Sequence, residues 1–104
     1  MDSRLNLQKE FLKLCNNVYF QPPATVTLKY PAIVYSLRDF GNSHADDGVY
    51  RQNRSYNVVV IDRNPESTVA EAVSKMQSCR FDRFYAADGL NHFAFSLFYN
   101  NNKE

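Results

Sequence analysis

The spacing of apolar residues changes several times along the chain, and each change marks an element. Leu7, Phe11, Leu14, Cys15 and Val18 recur at i, i+4, i+7, i+8 and i+11, a single stripe at helical period. Asp2 or Ser3 can cap that helix, and Asn16-Asn17 followed by Pro22-Pro23 stop it. From Thr25 the period falls to two: Val26, Leu28 and Tyr30 alternate with Thr25, Thr27 and Lys29, the pattern of a half-buried strand. Pro31 interrupts it, which calls for an edge position or a bulge. The next four residues, Ala32-Ile33-Val34-Tyr35, are apolar on both faces, as expected of a strand covered on two sides by helices or by a neighbouring subunit.

Residues 38–49 form the longest polar stretch and read as a loop, well beyond the usual two to six residues. Tyr50–Asp62 reads as one long strand, polar on both faces through Arg51-Gln52-Asn53-Arg54-Ser55 and apolar on both through Val58-Val59-Val60-Ile61. Thirteen extended residues span about 43 Å, more than a small core can cover. The polar half is therefore expected to project as one arm of a hairpin with Leu37 and Arg38, with residues 39–49 between the arms. Asn64-Pro65 is expected to open a second helix, whose face is Val69, Ala72, Val73 and Met76. Two last strands, 79–85 and 91–99, flank Asp88-Gly89, a strong hairpin signal, and 100–104 reads as a frayed polar tail. The predicted class is α+β: a mainly antiparallel sheet with two helices packed on one face and a long projecting β-hairpin, in one domain over 1–104.

Charge narrows the function classes. Twelve Lys plus Arg against eleven Asp plus Glu leave +1, without the basic excess that duplex nucleic-acid binding draws on. No apolar run approaches the ~18 residues that span a bilayer, and the first residues lack a signal-peptide pattern. Cys15 and Cys79 show neither a CxxC nor a zinc-like spacing, so both thiols are expected free, which fits a reducing cytosol. Candidate chemistry is sparse. His44 with Asp46 and Asp47 could be drawn as a metal or acid–base group, yet the spacing fits no ligand motif and a solvated loop is the plainer account. His92 reads as a structural, hydrogen-bonding histidine within a strand. No catalytic residue, cofactor or metal is expected.

The run Arg80-Phe81-Asp82-Arg83-Phe84-Tyr85 interleaves cations and aromatics, the combination that stacks on single-stranded nucleic acid. A regular strand would put Phe81, Arg83 and Tyr85 on one face and Arg80, Asp82 and Phe84 on the other. Each face is then mixed, and a salt-bridged strand at a subunit boundary explains it as well. A small α+β nucleic-acid-binding module using 80–85 is the alternative function. Long strands apolar on both faces, a polar arm and many tyrosines exceed what one small core covers, which favours an oligomer. The candidate interface residues are Arg38, Asp39, Asp46, Asp47, Arg51, Arg54, Arg80 and Arg83.

Several segments carry a family likeness. Lys29-Tyr30-Pro31-Ala32-Ile33-Val34-Tyr35, Ala45-Asp46-Asp47, the stretch from Tyr56 through Val60-Ile61-Asp62-Arg63 to Ser67, and the block from Phe81 through Asp88-Gly89-Leu90-Asn91-His92 resemble the small tail-completion, or tail-terminator, proteins of long non-contractile-tailed bacteriophages and prophages. Such proteins are also described as minor capsid or head–tail joining proteins. The likeness runs from the first helix to the last strand and departs at Phe84 and Ala87, where more polar residues are expected. It implies a non-enzymatic virion protein without a required cofactor, assembling as a homohexameric ring on the head-proximal end of the tail tube. Its partners would be further copies of itself, the major tail tube protein and the head connector or neck proteins. Phage DNA would pass through the lumen without specific binding, no membrane would be involved, and the protein would occupy the host cytoplasm during assembly.

Overall fold

The computed structural model describes the backbone of residues 3–44 and 50–99 and the side chains of 5–38 and 55–98. Two helices and five strands follow in the order α1 (Ser3–Leu12), β1 (Val18–Phe20), β2 (Ala32–His44), β3 (Tyr50–Asp62), α2 (Thr68–Ser74), β4 (Cys79–Ala87) and β5 (Leu90–Tyr99). They build an α+β domain around one mixed sheet of order β1-β2-β3-β5-β4. β1 runs parallel to β2, and the other three pairings are antiparallel.

The core follows from the pleat. Ile33 and Tyr35 of β2, Tyr56, Val58 and Val60 of β3, and Phe95 and Leu97 of β5 point to one side of the sheet. There they form a single cluster with Leu7 and Phe11 of α1, Cys15, and Val69, Ala70 and Val73 of α2. Tyr35 sits at its centre, with ring centroids 5.0 Å from Phe11, 4.9 Å from Phe20 and 5.8 Å from Tyr56.

Four local expectations are corrected. The stripe of α1 ends at Leu12, and Val18 belongs to β1 instead. The Cys15 thiol and the Asn17 amide both donate to the Pro31 carbonyl, at 3.2 and 3.0 Å, tying the helix exit to the start of β2. The strand expected over 25–30 is absent: residues 24–25 turn, with Val26 N–H on the Pro23 carbonyl at 3.0 Å, and 26–29 have no regular structure. The reason is pairing: β1 occupies the outer edge of β2 at residues 33–35, so the alternating segment finds that edge already taken. The second helix starts at Thr68, not at Asn64-Pro65. Asn64 instead makes a turn, accepting from Glu66 N–H at 2.9 Å, and Ser67 is the N-cap, its hydroxyl accepting from Ala70 N–H at 3.1 Å.

The loop expected over 38–49 is the fourth correction. β2 stays hydrogen-bonded to β3 as far as the pair His44↔Tyr50, so strand replaces loop through residues 38–44. A polar sequence is no bar to strand when its backbone groups find a partner across the hairpin. The expected frayed tail, 100–104, lies outside the described residues. At the other hairpin, Asp88 (φ 55°) and Gly89 (φ 75°) both take left-handed backbone, as a two-residue type I′ turn requires.

Candidate subunit interface

Two bulges shape the surface that could meet a partner. In β2 the register shifts between Leu37 and Asp39, leaving Arg38 as the extra residue. In β4 it shifts between Phe81 and Arg83, leaving Asp82 as the extra residue. A bulge re-aims one side chain and moves everything beyond it to the opposite face. Both re-aimed side chains converge on Ser96 of β5. The Arg38 guanidinium donates to its hydroxyl at 2.7 Å, and that hydroxyl donates to the Asp82 carboxylate at 2.6 Å. Ser96 is 1% exposed, so this bridge satisfies a buried hydroxyl on the side of the sheet away from the helices.

The bulge in β4 also overturns the expected distribution of residues 80–85. Because Asp82 is extra, Phe84 pairs with Phe93 and joins Phe81 on the helix side. Arg83 and Tyr85, opposite Ala94 and His92, lie on the other side. Phe81 is 52% and Phe84 48% exposed. Phe81 borders a shallow apolar groove of about 390 Å³ between α2 and the β4–β5 hairpin, lined also by Ala70, Phe93 and Phe95. On the opposite side, Arg80 pairs with Asp82 at 3.5 Å and the Arg83 guanidinium lies 5.2 Å over the Tyr85 ring. Tyr85 stacks on His92, with centroids 4.7 Å apart and planes 13° from parallel. His92 is therefore held by stacking rather than by the expected hydrogen bond; its Nδ1 is buried without a hydrogen-bond partner.

The eight candidate interface residues divide into three groups. Arg38, Arg80 and Arg83 lie on the side of the sheet away from the helices, Arg38 locked to Ser96. Asp39, Arg51 and Arg54 fall on the distal β2–β3 hairpin, at the register positions Asp39↔Ser55, Ser43↔Arg51 and Phe40↔Arg54. Asp46 and Asp47 lie outside the described residues. The sequence marks Asp82 as a salt-bridge partner for its neighbouring arginines, which the pair with Arg80 bears out, but gives no sign of Ser96, which ties Asp82 to Arg38. His44 closes the β2–β3 ladder, and among the described residues no cluster of three or more His, Cys, Asp or Glu could hold a metal ion.

Both thiols are free, as expected: Cys15 is buried and Cys79 partly so. Burial, and secondarily the nearby Asp82 carboxylate, pushes the Cys79 thiol from 9.0 up to about 11. A thiol so raised is a poor nucleophile at neutral pH. Among the described residues, no helix is long and apolar enough to cross a membrane. β4 is exposed from Arg80 to Ala87 and is an edge strand whose outer backbone groups have no neighbour in the sheet order. Compared with known proteins, the chain matches no family model and no curated sequence.

Proposed function

We propose that this chain is a structural assembly protein, a tail-terminator-like subunit that closes into a ring of six on the tail tube and offers the head-docking surface. One observation carries the reading: β2 and β3 remain paired well past the sheet that supports them. β5 accompanies β3 only as far as the pair Arg54↔Tyr99, and β1 covers only residues 33–35 of β2. Residues 41–44 and 50–53 thus form a two-stranded arm beyond the core. A two-stranded ribbon alone in water is marginal, so a persistent arm of this kind favours contact with a neighbour.

Overall dimensions agree. The radius of gyration is 14.8 Å, against about 12.8 Å for a compact chain of this length, with extents of 51 × 24 × 24 Å. The accessible surface is 6807 Å², above the roughly 6,000 Å² of a typical monomer of this mass. The sequence likeness to tail-completion proteins supplies the partners: the tail tube on one side of the ring and the head connector on the other. A near-neutral chain suits a ring through which DNA must slide, because a strongly basic lumen would retain the duplex.

The Arg83–Tyr85–His92 stack is what a single-strand-binding reading would use, but Asp82 beside Arg80 offsets its charge. Electron microscopy of the purified chain tests both. Rings with an open lumen support the assembly reading. A monomer that binds oligonucleotide with steep salt dependence would replace it with the nucleic-acid reading.

A further inference from the structure

The exposed edge of β4 has a pattern that matches itself. Phe98 N–H donates to the Ser78 carbonyl at 3.0 Å, which makes Cys79↔Leu97 a non-hydrogen-bonded pair of the β4–β5 ladder. Antiparallel pairs alternate, so the backbone N–H and C=O of Cys79 and Phe81 point out of the sheet. Past the extra residue Asp82, the register Phe84↔Phe93 and Ala86↔Asn91 turns the backbone groups of Phe84 and Ala86 outward as well. The outward set is therefore 79, 81, 84 and 86, symmetric about the midpoint between Asp82 and Arg83.

We propose that the β4 edge pairs with β4 of a second copy, antiparallel, across a two-fold axis at that midpoint. Cys79 then faces Ala86 of the second copy and Phe81 faces Phe84, so every outward N–H meets an outward carbonyl. The same register sets Asp82 opposite Arg83 twice, an opposite-charge pair on the side away from the helices. It sets Arg80 opposite Tyr85, within the class of cation–aromatic contacts. On the helix side Phe81 and Phe84 of both copies, about half exposed in the single chain, close over one another beside the apolar groove.

The bulge selects this partner. A bulged edge fits a regular strand poorly, which is how edges are normally kept from pairing at random. A second copy bulged at the same place is the strand that fits, and a shift by one residue would oppose Asp82 to Asp82 or Arg83 to Arg83. The contact is isologous and closes at two copies. Neither its pattern nor its test involves the distal arm, so it stands or falls separately from ring formation.

Sedimentation equilibrium on the full chain is the first test, together with Phe84→Pro and Phe84→Val. Proline at 84 removes an outward N–H that no intramolecular bond uses, so its circular dichroism should match wild type. At concentrations below those that form the six-copy species, the expected result is a wild-type dimer of twice 12.1 kDa, retained by Phe84→Val and weakened at least tenfold by Phe84→Pro. The second test is Ala86→Cys in a Cys15→Ser background under mild oxidation at raised pH. It should give a covalent dimer through the native Cys79, lost on Cys79→Ser. A strictly monomeric wild type, or a dimer that Ala86→Cys fails to cross-link, would overturn the proposal. Arg51→Glu with Arg54→Glu should leave this dimer intact, which keeps its outcome apart from that of the ring.

Discussion

Ser96 shows how much one hydroxyl can organise. It is buried, accepts from Arg38 and donates to Asp82, and so links β2 and β4 through β5 across three strand boundaries. Hydrogen bonds to charged groups stabilise more than neutral ones, and here both partners are ionic. Ser96→Ala should therefore cost about 1–3 kcal/mol, visible as a melting temperature lower by roughly 4 °C or more. An unchanged melting temperature would mean that the bridge contributes no net stability. Cys79 gives a second test at this scale. Its thiol ionises near 11 in the fold and near 9.0 in an unfolded chain. Iodoacetamide should modify the folded chain slowly at pH 8 and denatured chain rapidly, with two thiols titrating after denaturation. By linkage, the folded state holds its proton while the unfolded state releases it, so stability should fall as pH rises from about 9 to about 11. Fast alkylation at pH 8 would contradict this.

At the scale of elements, α2 and the β3, β4 and β5 strands were legible because their patterns are local. Val69 and Val73 mark the face of α2, and Asp88-Gly89 specifies its turn by backbone conformation alone. Other segments were not, each for a physical reason. The alternation over 25–30 is real, but β1 already occupies the adjacent edge of β2 at residues 33–35. Residues 38–44 look like loop, yet they find partners across the hairpin. Neither bulge has a sequence signal: Arg38 and Asp82 are surplus residues only once register is set by the hydrophobic pairs around them. That is why the two faces of 80–85 were misjudged, and why the Arg38–Ser96–Asp82 bridge went unseen. The helix assignment itself is open to a direct check. Val73 is fully buried, so Val73→Asp should place an unpaired carboxylate in the core and cost about 3–5 kcal/mol by denaturant unfolding. A loss under 1 kcal/mol would remove α2 from the core.

For the whole molecule the issue is surface that one chain leaves uncovered. The sheet ends in β1 and β4, the distal part of β2 runs on past β1 as a further open edge, and the arm beyond the core carries Arg51 on β3, with Arg54 at its base. If the arm joins neighbours in the ring, its charges should matter to assembly and not to the fold, since residues beyond the core add little to stability. Native mass spectrometry of the wild type and of Arg51→Glu with Arg54→Glu, across a concentration series, tests the ring most directly. We expect a wild-type species of six times 12.1 kDa, about 73 kDa, that grows with concentration. The double variant should keep its melting temperature and lack that species. A wild type that never exceeds two copies, or a double variant that forms the six-copy species normally, would contradict the ring.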